Sequence, residues 1–285
     1  MFDDLYRYYK TFMNKNGLME WHINSMCEVE EWGAATDADE DVAFSLLVAD
    51  KQWCSNGAIN YRREAVTLIN RIWEHEVEKG TYVLKPGDGD WGGSHLLNPS
   101  YVAPAYYRAF EAATGNAGWR KVIERCYDVL RKAAHPSTGL VPDWCRVDGL
   151  PAQGREDKYY FYWDAARTQW RIALDYLWYG TEEARAFCEK IVRFALSIGP
   201  ANLANGYYLD GKPIRHEATS VFIGPFGAAA MAAGSTFQAF CDAAYRLNAA
   251  YTPPTQNHYY DWSIRTLTLF LQTGNFYGPL DLCSP

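Results

Sequence analysis

Apolar residues recur three and four positions apart along nearly the whole chain: Ala65, Ile69, Ile72 and Trp73; Val122, Cys126, Val129 and Leu130; Trp170, Ala173, Leu174 and Leu177. That spacing places side chains on one face of a 3.6-residue turn and predicts helices at each place. Stretches 104–113, 182–197, 235–249 and 258–272 carry the same pattern. Several of these runs close on a glycine, in "ATGN" (113–116), "WYGT" (178–181) and "QTGN" (272–275), where the left-handed conformation can end a helix. Alternating strand patterns are nearly absent, so the chain reads as all-α with about ten helices. Two longer irregular segments, 80–101 and 134–163, are rich in Gly, Pro, Asp, Trp and Tyr. Long loops inside a helical domain tend to carry function. No low-complexity linker divides the chain, and 1–285 is read as a single domain.

One helix start stands apart. In "AATDADEDVAFSLLVADKQW" (34–53) four carboxylates, Asp37, Asp39, Glu40 and Asp41, precede an apolar run. Val42, Leu46, Ala49 and Trp53 form one stripe, and Phe44 and Val48 make the other side apolar, which predicts a helix buried nearly all round. Thr36 is expected to cap it with Asp39 as capping-box partner, and acidic residues in a first turn suit the positive end of the helix dipole. Neither role needs four acids. A calcium loop starting at Asp37 requires Gly at its sixth position and Glu at its twelfth, where Val42 and Val48 stand. A magnesium–diphosphate site of the helical terpenoid synthase kind wants a DDxxD-like run; "DADED" approximates it loosely and remains an alternative from another reaction class. The third possibility is a carboxylate that meets a polar substrate at the mouth of a helical barrel.

Composition narrows the field. The chain is 48% apolar and 21% charged with a formal charge of -7, the profile of a globular protein with no call for a nucleic-acid partner. No apolar stretch approaches the roughly 20 residues of a membrane span, since "FIGPFGAAAMAAG" is short and broken by Pro225; no membrane partner is expected. The seven cysteines form no CxxC pair and read as buried free thiols. The six histidines are dispersed, with no HExxH, and neither a GxSxG elbow nor a P-loop occurs, so no metal and no cofactor is expected. "MFDDLYRYYKTFM" lacks the pattern of an export signal. Sugar rings pack their C–H faces on aromatic planes. Of the 11 Trp and 21 Tyr, those in loops are the better sugar-binding candidates, namely Trp21, Trp91, Trp144 and Tyr207, whereas Trp73, Trp119 and Trp170 lie on helical stripes and belong to the core.

The stretch from Ala35 to Trp53 resembles the signature of glycoside hydrolase family 8, departing at Val42, and "NGLMEWHINS", "GAINYRREAVTLIN", "YVLKPGD", "WGGS", "NPSY", "TGLVPDWC" and "WDAAR" are similar to its cellulase-type members. The resemblance implies an (α/α)6 barrel and inverting, endo-acting hydrolysis of β-1,4-glucan in cellulose or mixed-linkage polymers. Inversion needs an acid for the leaving oxygen and a carboxylate to activate water. By motif position Asp164 of "WDAAR" matches the base, at a helix start whose dipole complements its charge. Asp37 matches the residue that holds the sugar at the cleavage point, Arg167 can orient a carboxylate from one helical turn away, and Tyr101 of "NPSY" matches a tyrosine of the cleavage subsite. Trp163 stands where the family often has Tyr. The family's general acid, a glutamate in a Ser-Glu-Gly-like motif, has no counterpart before Asp37, and Glu20, Glu28, Glu30 and Glu31 are the nearby stand-ins. The resemblance thus implies a barrel lacking about one N-terminal helical hairpin, with self-association across the exposed face. It also implies a β-glucan polysaccharide or oligosaccharide partner and a secreted protein. A catalytically silent glucan-binding barrel and a xylanase or chitosanase of the same family are the alternatives.

Overall fold

Each stretch with three-and-four spacing is helical in the structure, a computed structural model whose described residues are 1–255 and 258–278. Ten α-helices lie among them: α1 (Phe2–Thr11), α2 (Thr36–Trp53), α3 (Tyr61–His75), α4 (Pro104–Thr114), α5 (Gly118–Ala133), α6 (Thr168–Tyr179), α7 (Glu182–Ile198), α8 (Ser220–Ala233), α9 (Gln238–Ala250) and α10 (Tyr259–Gln272). Two short strands, β1 (His22–Ile23) and β2 (Val29–Glu31), form an antiparallel hairpin. The chain divides into two compact units. Of the described residues, the first comprises 1–97, 106–126 and 278; the second comprises 98–105, 127–255 and 258–277.

In the first unit α2 packs along α3, and from Asp39 to Asp50 it is buried or half-buried all round. Trp53, expected on the buried stripe, is 54% exposed because it falls on the last turn, against Phe2 and Tyr61. Phe44 stacks on Tyr106 with ring centres 4.0 Å apart, and fully buried Trp119 is walled by Tyr107, Phe110 and Trp73. The amphipathic α1 turns Tyr6 and Tyr9 inward, where their hydroxyls donate to Glu64 and Asp39. The expected capping box does not form. Ala35 occupies the N-cap, Thr36 is already helical with its hydroxyl donating to the Lys85 carbonyl at 2.8 Å, and Asp39 points into the core.

The second unit is organised around α8, which packs against α6, α7, α9 and α10. The stretch that was too short and broken to cross a membrane is this central helix, buried on every side except at half-buried Met231. Its small residues set how closely neighbours approach: a Cβ on Gly224 would lie 2.3 Å from the Thr268 hydroxyl of α10. Gly180, at φ 68°, ends α6 in the left-handed conformation. Among the described residues no helix is long and apolar enough to cross a membrane. Cys126, Cys145, Cys188 and Cys241 are buried thiols as expected, but Cys27 and Cys54 are exposed because each sits in a tight turn with positive φ; Cys283 lies outside the described residues.

Candidate active site

In the second unit the backbone arriving from the irregular segment 134–163 turns at Asp164 into a single 3-10 turn (Ala165–Arg167) that leads into α6. Asp164 occupies the N-cap position, yet its side chain caps nothing. One carboxylate oxygen accepts the Trp144 indole N–H at 3.0 Å, and the other accepts from the Arg167 guanidinium at 3.0 Å. The side chain remains 36% exposed beside an Arg167 that is only 12% exposed. The guanidinium in turn lies over the Tyr101 ring at 5.3 Å and the Tyr260 ring at 5.9 Å, while Trp144 meets Tyr101 edge to face. An ionised carboxylate offers about four lone-pair positions. With two donors on its inner side, Asp164 is held in one orientation and still has lone pairs turned outward, the arrangement a base for water requires.

The capping work at this helix start is done by Asp143, a residue to which the sequence reading gave no role. One oxygen of its buried carboxylate accepts both the Tyr162 and Ala165 N–H groups, at 2.9 and 2.8 Å. Burial, and then the nearby charge of Asp164, push Asp143 up to about 7 against the pull of the two N–H bonds and Arg167. Tyr260 was missed as well. Its hydroxyl donates to the Trp163 carbonyl at 2.6 Å, and its ring meets that of Trp163 edge to face. Trp163 is half-buried between Tyr260 and Phe222. Tyr207 requires a correction. It is 1% exposed, its hydroxyl oxygen accepts the Ala204 N–H, its backbone pairs with Phe161, and Phe161 and Phe194 close over its ring. Its flanking glycine and polar residues suggested an open loop, but the ring is a core plug and no sugar face reaches it. Trp144, at 7% exposure, likewise serves as a donor to Asp164 and not as an open stacking platform.

In the first unit Asp37 is the half-buried second residue of α2, and the acids around it diverge. Asp39 is buried, accepting from the Tyr9 hydroxyl and the Met19 N–H; Glu40 is buried, accepting from the Tyr107 hydroxyl at 2.8 Å. Burial raises Asp39, and burial followed by the charge of Asp39 raises Glu76 well above the carboxylate range. Glu76 and Asp39 lie within hydrogen-bond reach of each other, with the Thr36 hydroxyl also beside Glu76, an arrangement that favours a proton kept on Glu76 and directed at Asp39. Acids committed inward in this way do not converge on a diphosphate-bound cation. Among the described residues no group of three His, Cys, Asp or Glu is placed to hold a metal.

Two exposed tryptophans, Trp91 and Trp21, stand on segments tied by hydrogen bonds to the residues before Asp37. Trp91 lies against Gly87, where a Cβ would fall 2.6 Å from its ring, and the loop that carries it is fastened to the residues before Asp37: Ala34 N–H donates to Asp88 and Thr36 N–H to the Pro86 carbonyl. Trp21 donates its backbone N–H to Gly33 at 2.8 Å and leaves its ring 47% exposed. Of the stand-in acids, Glu20 is buried and accepts from Gly33 N–H, Glu30 and Glu31 flank His22, and Glu28 accepts from Asn24, so all four are engaged in holding the β1–β2 hairpin. A cavity of about 580 Å³ opens between residues 11–16, Trp32 and Asp88 and includes Glu20 alone of these candidates.

A model of the glycosyl hydrolases family 8 matches residues 1–274. The chain belongs to glycosyl hydrolases family 8. It is 47% identical over 284 residues to Endoglucanase 2 of Ruminiclostridium josui, covering 97% of this chain and 60% of the relative. Endoglucanase A of Acetivibrio thermocellus is 46% identical, with 98% of this chain and 59% of the relative covered. The chain thus spans about 60% of the length of these curated relatives. Among solved structures, the apo β-1,3-1,4-glucanase of Paenibacillus sp.X4 matches with a TM-score of 0.90 at 31% identity, over 97% of this chain and 77% of that one. A family 8 xylanase from Teredinibacter turnerae matches at 0.86 over 97% of this chain and 77% of its own, but at 24% identity it speaks for the fold alone. The ten helices together with these family 8 matches place the chain in the all-α, (α/α)6-barrel fold class.

Proposed function

We propose that this family 8 protein is an endo-acting glycoside hydrolase that cleaves β-1,4-glucosidic bonds in cellulose or mixed-linkage glucan with inversion. The observation that carries the reading is the setting of Asp164: a half-exposed carboxylate, relieved of helix capping by Asp143 and oriented by Trp144 and Arg167. In this mechanism Asp164 takes a proton from a water molecule as the water oxygen attacks the anomeric carbon, the glycosidic C–O bond breaks, and the leaving oxygen takes up a proton from solvent water. No residue of this chain is assigned as that proton donor. Within the second unit Arg167 holds the base, and Tyr101 and Trp163 border it; the first unit contributes Asp37 as a sugar-binding carboxylate and the exposed rings of Trp91 and Trp21 as stacking faces. The printed names of its relatives, endoglucanases and a β-1,3-1,4-glucanase, favour β-glucan as the substrate class. No metal or cofactor enters this chemistry. Polymers of this kind lie outside the cell, so the same reading puts the protein there. Leu5, Tyr8, Trp32 and Trp53, all exposed, supply an apolar surface for self-association, which sedimentation velocity reads directly.

The test is reducing-sugar release from carboxymethylcellulose, mixed-linkage β-glucan, xylan and chitosan, with Asp164→Asn as control. Release from the first two that the substitution abolishes is expected. Turnover confined to xylan or chitosan would move the specificity within the family. Oligosaccharide binding without any turnover would make the protein a silent binder.

A further inference from the structure

Asp143 and Trp144 are consecutive, and both are spent on Asp164. The backbone of this dipeptide runs against the segment that delivers Asp164, with Asp143 N–H donating to the Tyr160 carbonyl at 2.8 Å and Trp144 N–H to that of Lys158 at 3.3 Å. From that platform the Asp143 carboxylate gathers the Tyr162 and Ala165 N–H groups, which bracket Asp164 in the chain, onto a single oxygen. The neighbouring indole fixes the Asp164 side chain itself. A backbone turn and a carboxylate rotamer are thereby set by two adjacent residues on a segment with its own hydrogen bonds.

We propose that Asp143 is a positioning residue for the Asp164 base: it holds the turn on which Asp164 stands in register with the Trp144 indole, so that the carboxylate keeps one orientation. The proposal rests on the reading of Asp164 as base. Asp143 also carries a conditional charge. The groups facing it are the Asp164 carboxylate, the Arg167 guanidinium and the Tyr160 phenol, and burial with the first of these raises it to about 7. Near neutrality, ionisation of Asp143 strengthens its grip on the two N–H groups and sets a second negative charge beside Asp164.

A spectroscopic probe sits at the junction. In protein labelled with 15N-tryptophan, the Trp144 indole N–H resonance, assigned by its loss in Trp144→Phe, reports the hydrogen bond to Asp164. In the unsubstituted chain it is expected to move with an inflection near pH 7. Asp143→Ala is expected to shift it to the position seen in Asp164→Asn and to remove that inflection. Asp143→Asn, whose amide oxygen can still accept both N–H groups, should restore the resonance to its low-pH position but not the inflection. An unmoved resonance in Asp143→Ala between pH 5 and 9 overturns the proposal. Should that variant fail to fold, an inflection near pH 7 that persists in Asp143→Asn overturns it equally. On carboxymethylcellulose, Asp143→Ala should lower kcat on the order of 100-fold with KM little changed, the scale of an ångström-sized misplacement of a reacting group. Hydrolysis that survives Asp164→Asn would instead remove the base assignment on which the proposal stands, whatever the indole resonance does.

Discussion

Both units present a half-exposed aspartate at a helix start, Asp37 on α2 and Asp164 ahead of α6, and both back it with buried acids, but the backing differs in kind. Behind Asp37 the buried acids belong to the same helix. Asp39 and Glu40 face inward to tyrosine hydroxyls, and burial raises Asp39 together with its neighbour Glu76. Behind Asp164 the buried acid comes from a separate loop and grips backbone N–H groups. The first arrangement fastens helices to one another; the second fixes the orientation of one carboxylate. Crowded negative charge therefore has two physical meanings in this chain, and side-chain direction, not sequence spacing, separates them.

The largest expected effect tests the exposed side of the contrast. Asp164→Asn should reduce glucan hydrolysis by roughly 100- to 10,000-fold, the range for loss of a general base, without lowering the melting temperature. Removing a donor from a buried acid should do the opposite. Tyr9→Phe leaves a buried Asp39 oxygen with only the long Met19 N–H bond and should cost about 1–3 kcal/mol in urea denaturation, with turnover per folded molecule unchanged.

The buried pair also predicts a pH trend. Asp39 and Glu76 have folded-state pKa values raised above the unfolded carboxylate range, so the folded chain holds protons that the unfolded chain releases above about pH 4. Their contribution to stability is full below that point and is lost as pH rises through their folded values. Each unit of upward shift is worth about 1.4 kcal/mol. Denaturation midpoints measured from pH 4 to 8 should fall accordingly, and Glu76→Gln, which keeps a donor toward Asp39, should flatten the slope. A smaller effect belongs to Trp91. With its ring 37% exposed, Trp91→Ala should raise KM severalfold, matching roughly 0.5–1.5 kcal/mol for an aromatic contact, and leave kcat alone.

What was legible in the sequence follows from locality. Helix faces and glycine stops are written in spacings of three and four, and they located α3, α5, α6 and α7 closely. The pairing of Arg167 with Asp164 is likewise a one-turn relation. α1 carried the same kind of signal in Tyr6 and Tyr9, but its short polar stretch was read only for export signals. α8 carries no such signal for the reverse reason: Gly224, Pro225 and its alanines erase periodicity because nearly every side of the helix is buried. Contacts between distant segments left no local trace. Nothing in "PDWC" says that Asp143 will cap a turn twenty residues on, nothing in "YYDW" marks Tyr260, and nothing distinguished Tyr207, a buried plug, from Trp91, which is 37% exposed.

The division of labour between exposed and buried acids is tested most directly by measuring kcat on carboxymethylcellulose and melting temperature side by side for Asp164→Asn and Asp39→Asn. The account predicts that the first loses turnover at an unchanged melting temperature, and that the second melts lower while its folded fraction turns over normally. A stable Asp39→Asn without activity, or an Asp164→Asn that melts early and still cleaves, would contradict it.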